Sequence, residues 1–278
     1  MATKTLFIGN VIKKIENDKI NYISNIIDAA LASYASNGIP IVLTNIKKED
    51  AKVVFKKLID LNIEIIINDD SNITTIIDDK ICEIASSISN DSILEIDVDY
   101  YYFIPTLNKD INESIFEKLA IKNKKIALSI TGFMNYIKSD KISIEKYSPL
   151  NDILKYLDHI VLDKDQCFIQ EFTHDEDHVA KRYAKLGCKE VLIPYYEALF
   201  NYRDNFFYRC KYVVDGEILI NRIGDVALAS YISQTDILIK EEALFYATAL
   251  ACYYSDKKDL TKLSQEEINF KMIEIGIV

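Results

Sequence analysis

Asn221-Arg222-Ile223-Gly224-Asp225-Val226-Ala227-Leu228-Ala229-Ser230-Tyr231 sets a polar turn, holding one of the chain's seven glycines, directly before an apolar stretch of helical period. Read this way, the stretch puts the Asp225 carboxylate at a helix N-terminus. First-turn amides lack internal partners and carry partial positive charge, so such an end holds a phosphate while the adjacent Asp takes a proton from a hydroxyl. A plainer reading stays open here, with Asp225 as a helix cap and nothing more.

Working outward, the rest of the chain alternates strand and helix. Thr5-Leu6-Phe7-Ile8-Gly9 reads as a buried first strand, and residues 13–22 as a small hairpin turning at Asn17-Asp18. A helix is expected over 26–37, stopped by Gly38, with a buried strand over 39–43 whose Pro40 sits near its start. Further helices are expected over 49–61, 111–121, 150–157 and 173–186, and extended segments over 63–67, 93–98, 125–130, 159–162 and 190–193. Repeated βα units of this kind mean a mostly parallel sheet with helices on both faces. Residues 199–214 alternate and turn at Arg203-Asp204-Asn205, which predicts an antiparallel hairpin at one edge. Helices over 226–233, 240–255 and 264–273 end the chain.

Composition narrows the class. A chain of 278 residues that is 49% hydrophobic and 27% charged can bury one large α/β core, so a single domain over 1–278 is expected. A net charge of −10 argues against nucleic acid or an anionic membrane as partner, because neutralising phosphates needs clustered Lys and Arg. Cys82, Cys167, Cys188, Cys210 and Cys252 are scattered, with no Cys-x-x-Cys pair to suggest a zinc site or a disulfide framework. Residues 1–4 are too short for the charged region of a leader, and no run of about twenty apolar residues occurs, so a cytoplasmic location is expected. Neither Gly-x-Gly-x-x-Gly after the first strand nor Gly-x-x-x-x-Gly-Lys-Ser/Thr is present, which disfavours a dinucleotide enzyme and a P-loop NTPase.

Gly224-Asp225 follows the βα units and the hairpin and precedes the last helices, and with that order the chain resembles the ribokinase-like (PfkB-type) carbohydrate kinases, in particular their compact, inositol-kinase-like branch. Phe7-Ile8-Gly9-Asn10 is similar to the family's opening strand and Gly-Asn, and residues 11–23 take the place of its lid as a short hairpin. Residues 27–40 resemble its small-residue helix, Ile126 through Phe133 its strand and Gly-Phe, and Leu186-Gly187 its entry to the nucleotide half. Asn221 to Asp225 stands where the family has Thr-Gly-x-Gly-Asp.

The resemblance implies transfer of the γ-phosphoryl of ATP, with Mg²⁺, to a hydroxyl of a small sugar, polyol or nucleoside. Asp225 would be the catalytic base, and the amides from Ile223 to Val226 an anion hole, with Asn221, Arg222, Ile223 and Gly224 on the nucleotide side. Asp163 and Gln166 stand where the family has Asn-x-x-Glu, organising metal and phosphate through water, and no direct metal ligand is assigned. Asn10, Lys14, Ser24 and Asn25 fall at acceptor positions. The partner is then a small molecule, with a homodimer left open.

Several residues depart from the pattern. Ser24-Asn25 replaces a Gly-Gly, and Lys14 replaces an acid that binds substrate hydroxyls. Arg222 replaces the first glycine of the anion hole, where it either blocks the loop or adds a guanidinium to the phosphate site. Pro194-Tyr195-Tyr196-Glu197-Ala198 replaces a Gly-x-x-Gly segment, with rings bulky enough to fill the nucleotide cleft. These departures keep a second function open, a catalytically impaired kinase fold that binds a ligand or a partner.

Three further motifs carry less. His174 and His178, four apart, suit a metal, but Thr173 with Glu176 also reads as a capping box that starts a helix. Tyr100-Tyr101-Tyr102-Phe103 reads as core or rim packing ahead of a ligand cleft, and Lys122-Asn123-Lys124-Lys125 as a solvated turn.

Overall fold

The structure, a computed structural model, describes residues 2–277; Met1 and Val278, the ends of the single domain read from the sequence, lie outside them. The first strand β1 (Lys4–Ile8) is followed by a hairpin, β2 (Ile12–Glu16) and β3 (Lys19–Ile23), then α1 (Asn25–Ala35), β4 (Ile39–Asn45), α2 (Lys48–Val54), α3 (Lys56–Asp60) and β5 (Glu64–Asp69). A second hairpin, β6 (Thr74–Ile77) and β7 (Lys80–Glu83), precedes α4 (Asn90–Glu95), β8 (Tyr100–Phe103), α5 (Ser114–Ile121) and β9 (Lys125–Ser129). A third, β10 (Asn135–Lys138) and β11 (Lys141–Ile144), leads to α6 (Leu150–Ile153), β12 (His159–Val161), α7 (Lys164–Glu171), α8 (Glu176–Lys185) and β13 (Glu190–Pro194). The chain ends through β14 (Ala198–Arg203), β15 (Phe206–Lys211), α9 (Ile220–Gln234), α10 (Lys240–Ser255) and α11 (Gln265–Ile277).

Nine strands form one sheet in the order β15-β14-β13-β12-β9-β8-β1-β4-β5. Every pairing from β13 to β5 is parallel, and β14 and β15 add antiparallel at the edge, as the alternation and the Asp204-Asn205 turn predict. Strand side chains alternate faces, so each strand feeds two cores. Phe7, Val42, Tyr102 and Val161 pack with α1, α9 and α10 on one face. Leu6, Leu43, Tyr101 and Ile160 pack with α5, α6 and α8 on the other. The structure thus has the mostly parallel sheet, covered on both faces, that the sequence predicts.

The helix carrying Asp225 differs from expectation. It begins at Ile220, so Gly224-Asp225 lies inside α9 and not in a turn before it. The Leu219 carbonyl accepts the amides of Arg222 and Ile223, which starts the helix well ahead of the expected residue 226. Gly224 serves close packing: a Cβ there would lie 3.1 Å from Val161 Cγ2 and 3.2 Å from Pro194 Cγ. Small residues also let α1 and α9 meet closely, and two serine pairs lock them, Ser33 with Ser233 and Ser36 with Ser230, each at 2.9 Å.

Other segments depart from the sequence reading. Residues 93–98 were expected extended, but Ser89 caps α4 by accepting the Asp91 amide at 3.2 Å. The helix expected over 173–186 is α8, capped by Asp175, which accepts the His178 amide at 3.0 Å in place of a Thr173–Glu176 box. Tyr100 to Phe103 is itself a central strand, so its rings belong to the core. The expected small hairpin is β2–β3, turning at Asn17 and Asp18 with positive φ, but β2 also pairs in parallel with β6 to give a four-stranded sheet β3-β2-β6-β7.

Candidate active site

Gly224 lets α9 press against the C-terminal ends of β12 and β13, and Asp225 follows it directly into a narrow cleft. Ser129, Thr131, Asp163, Gln166, Asn221 and Gly224 line this cleft together with Asp225. The Asp225 carboxylate is 4% exposed and both of its oxygens are held. Tyr102 Oη donates to Oδ1 at 2.7 Å, and Asn25 Nδ2 donates to Oδ2 at 2.7 Å. Burial pushes this carboxyl above the usual range, against the hydrogen bonds from Tyr102 and Asn25 and the nearby Ser129 hydroxyl, and the charge of Asp28 adds to the upward push.

Asp163 faces the same cleft from the start of α7. It forms a reciprocal capping box with Gln166: Asp163 Oδ1 accepts the Gln166 amide at 2.9 Å, and Gln166 Oε1 accepts the Asp163 amide at 2.9 Å. Gln166 Nε2 then donates to Thr131 Oγ1 at 2.9 Å. Burial pushes the Asp163 carboxyl up to about 6, aided by Asp165 and Asp225.

Beside this cleft opens a much larger cavity of about 1060 Å³, walled by Tyr196, Lys211, Tyr212, Val214, Leu219 and Arg222 among others. Tyr196 and Glu197 form part of the wall of this cavity and do not fill it. Lys164 Nζ sits 5.2 Å from the Tyr195 ring centroid and 4.3 Å from that of Tyr196. The exposed Arg222 side chain lies on the cavity wall, where its charge favours ionised Asp28 against the desolvation that raises that carboxyl. Ile223 is buried, and its amide is spent on the Leu219 carbonyl. The expected anion hole over Ile223 to Val226 is therefore wound into helix.

The acceptor positions separate. Asn25 reaches Asp225, and Ser24 caps α1 while donating to the Asn10 carbonyl at 3.2 Å. Asn10 is wholly buried: its amide donates to Asp110 Oδ1 at 2.9 Å and its carbonyl oxygen accepts the Asn45 amide at 3.1 Å. Lys14 lies on the small sheet, paired with Glu16 at 2.6 Å and Asp79 at 3.2 Å. It makes no contact with Asp225. His174 stacks on Phe168 at 4.4 Å, and among the described residues no three His, Cys, Asp or Glu side chains gather to hold a metal.

Apart from Asp225, the cleft offers the Asp163 carboxyl, the Gln166 and Asn221 amides and the Ser129 and Thr131 hydroxyls, and no Lys or Arg lines it. Hard oxygen donors of this kind suit Mg²⁺, which keeps several waters and binds through one or two carboxylates plus phosphate oxygens. Sequence reasoning ranked a ligand cleft below core packing for Tyr102 and gave Ser129 and Thr131 no site role. The contact of Tyr102 with Asp225 comes from strand pairing across the sheet, which no local pattern marks. The Asp-x-x-Gln box, by contrast, was a readable signal for α7.

No family model matches the chain, and no curated protein matches it. Solved structures do. A pyrophosphate-dependent myo-inositol-1 kinase converted by two substitutions into a myo-inositol-3 kinase superposes with a TM-score of 0.83 at 18% identity, over 97% of this chain and 99% of that one. A pyrophosphate-dependent kinase of the ribokinase family, in complex with a pyrophosphate analogue and myo-inositol, gives 0.81 at 18% identity, over 95% and 99%. Fructokinase from Vibrio cholerae, with fructose, ADP and calcium bound, gives 0.74 at 8% identity, over 98% and 99%. Among the described residues no helix is long and apolar enough to cross a membrane. With its nine-stranded sheet, its four-stranded side sheet and these neighbours, the chain has the ribokinase-like, PfkB-type fold.

Proposed function

We propose that the chain is a phosphotransferase that moves the γ-phosphoryl group of ATP to a hydroxyl of a small sugar, polyol or nucleoside. The observation that carries this reading is Asp225: a buried carboxylate with no cationic partner, in a cleft that opens beside a cavity of nucleotide size. A carboxyl buried without a cationic partner has a raised proton affinity, which suits a base that takes the acceptor's hydroxyl proton as the oxygen attacks. Asp163 and Gln166 would hold Mg²⁺ through water, and the ion would neutralise charge on the transferring phosphates. Tyr196, Tyr212 and Leu219 offer apolar surface for a base, while Arg222 and the first turn of α9 present positive charge toward the phosphates. Asn25 and Ser24 border the acceptor side, and the β2–β3 hairpin, residues 11–23, would cover it as a lid within one domain over 1–278. A cytoplasmic location and an optional homodimer belong to the same reading.

A second reading, an impaired relative that binds a ligand without turnover, is favoured by one feature: the Ile223 amide is tied into α9, so the phosphoryl group has no open loop of backbone donors next to Asp225. The pyrophosphate-dependent neighbours make pyrophosphate the competing donor. Thermal denaturation with ATP, ADP or pyrophosphate, each with and without Mg²⁺, separates these options. A ligand that binds only the native state raises stability by RT ln(1 + [L]/Kd), about 2.7 kcal/mol at a hundredfold excess over Kd. ATP–Mg²⁺ is expected to give the largest shift. A shift with pyrophosphate alone would replace the donor, and no shift with any of the three would remove the phosphotransferase reading.

A further inference from the structure

The two hydrogen bonds onto Asp225 come from very different supports. Tyr102 lies in the middle of the sheet on β8, paired to β1 and β9, and its side chain is wholly buried with the ring 5.7 Å from that of Phe7. Its hydroxyl cannot turn away without unpacking the core. Asn25 is the first residue of α1, only half-buried, one position past the Ser24 cap. Ser24 already caps α1, so the helix start does not need the Asn25 side-chain amide. Yet that amide is aimed at Oδ2, and the serine-locked α1–α9 contact holds the two helices at the spacing this needs.

We propose that Tyr102 and Asn25 are positioning residues for Asp225, a fixed donor and a movable one, which together set the plane of the carboxylate and decide which oxygen meets the acceptor. This rests on the reading of Asp225 as the base. Tyr102 fixes Oδ1 against the sheet, leaving Oδ2 as the oxygen toward the acceptor side. An ionised carboxylate oxygen accepts more than one hydrogen bond, so an acceptor hydroxyl joins Asn25 at Oδ2 or displaces it. When the hydroxyl proton passes to Oδ2, the acceptor oxygen's electron pair forms the new bond to the γ-phosphorus and the bond from that phosphorus to its bridging oxygen breaks, ADP leaving with that electron pair; the Asn25 bond to the newly protonated oxygen weakens, while the Tyr102 bond persists. Asn25 therefore acts in the proton step and Tyr102 in the geometry throughout.

The charged and titratable groups around Asp225 are Asp28 on α1, which Tyr254 of α10 donates to at 2.6 Å and which the charge of Arg222 favours, Asp163 at the start of α7 and Tyr102 itself. The carboxylate's two hydrogen bonds both come from neutral groups, so removal of either donor should be felt directly. Each hydrogen bond to the ionised form favours that form, and its loss moves the titration upward. The test uses the full chain with Asn25→Ala and Tyr102→Phe, both verified as folded by circular dichroism. The Asp225 carboxyl is followed by ¹³C NMR and assigned by the resonance lost in Asp225→Asn. Both variants are expected to raise its midpoint by about half to one pH unit. In a phosphoryl-transfer assay the acid limb of kcat should move the same way, with the donor's KM unchanged. Folded variants whose Asp225 midpoint stays at the wild-type value would overturn the proposal, even if transfer is slowed. Raised midpoints in a protein that forms no phosphate ester would uphold the positioning and instead remove the base role it rests on.

Discussion

Asp225 and Glu190 are buried carboxylates served by the same helix at opposite ends of the sheet. Glu190 opens β13 at the end where the parallel strands begin. It accepts Tyr231 Oη from α9 at 2.7 Å and Lys240 Nζ from α10 at 2.6 Å. Arg203, 2% exposed, extends the cluster through Tyr231 at 3.3 Å and Glu241 at 2.7 Å, and the buried His159 ring lies 3.9 Å away. Burial works against ionisation of Glu190, but the Lys240 ammonium and the Tyr231 hydroxyl hold the carboxyl below its usual range, with His159 adding to them only when protonated. Asp225 has comparable burial and two neutral donors, and its carboxyl is held above. The difference is the cation. At one end the fold neutralises a buried charge; at the other it leaves the charge uncompensated, as expected where a ligand or metal must complete the site.

Glu190→Gln is the strongest way to break this contrast. It leaves Arg203 buried with one fewer anion and Tyr231 without its carboxylate acceptor, and should cost about 3 kcal/mol in urea unfolding. A loss under about 1 kcal/mol would mean that the basal cluster is not the stabilising counterpart described here. The cluster also has a pH signature. Glu190, depressed in the fold, contributes stability above its unfolded value that is lost as pH falls through the folded one. Burial lowers His159 as well, so its neutral state adds a loss as pH drops below the ordinary histidine range.

Asp163 has the opposite sign and a smaller effect. Its carboxyl is raised from 3.8 to about 6, so the wild-type fold is favoured at low pH and loses that advantage as pH rises through 6. Asp163→Asn keeps an N-cap oxygen and removes the charge, and should stabilise the protein at pH 8 by about 1–3 kcal/mol. The gain should vanish near pH 4. A gain that is constant from pH 4 to 8 would contradict the strained-carboxylate account of the cleft.

The smallest effect is expected on the side sheet. Lys14 is already paired with Glu16 and Asp79 in a half-exposed setting, so Lys14→Asp should alter acceptor preference by less than about twofold. A larger change, read from a panel of neutral and phosphorylated sugars and polyols, would place Lys14 at the acceptor after all.

The parallel sheet was legible because its strands are short apolar runs bounded by turn residues, and the edge hairpin because Asp204-Asn205 marks it. The Asp225 helix was legible in existence but not in phase. Gly224 reads in sequence as part of a turn ahead of the helix, yet the fold winds it into α9 and needs it for approach to Val161 and Pro194, a tertiary cause that overrides propensity. The hairpin β6–β7 had its signal in Asp78-Asp79, both with positive φ, within a stretch too short for apolar periodicity to register. Of the site, Asp225 was marked by its glycine and helix and, with Asp163 and Gln166, given a role through the resemblance to the ribokinase-like kinases. Asn10 and Lys14 were placed at the acceptor by the same reasoning, but the structure commits one to a buried network and the other to surface ion pairs. Tyr102 is 123 residues from Asp225, and only the folded sheet brings them together.

The central claim is that the uncompensated carboxylate, and not the neutralised one, does chemistry. Its most direct test follows ³¹P resonances during incubation of ATP–Mg²⁺ with a panel of sugars, polyols and nucleosides, using wild type and Asp225→Asn. Wild type should produce a phosphate monoester with at least one acceptor, and Asp225→Asn should slow its appearance by about 10² or more with donor affinity nearly unchanged. Ester formed at the same rate by the folded Asp225→Asn protein would contradict the account.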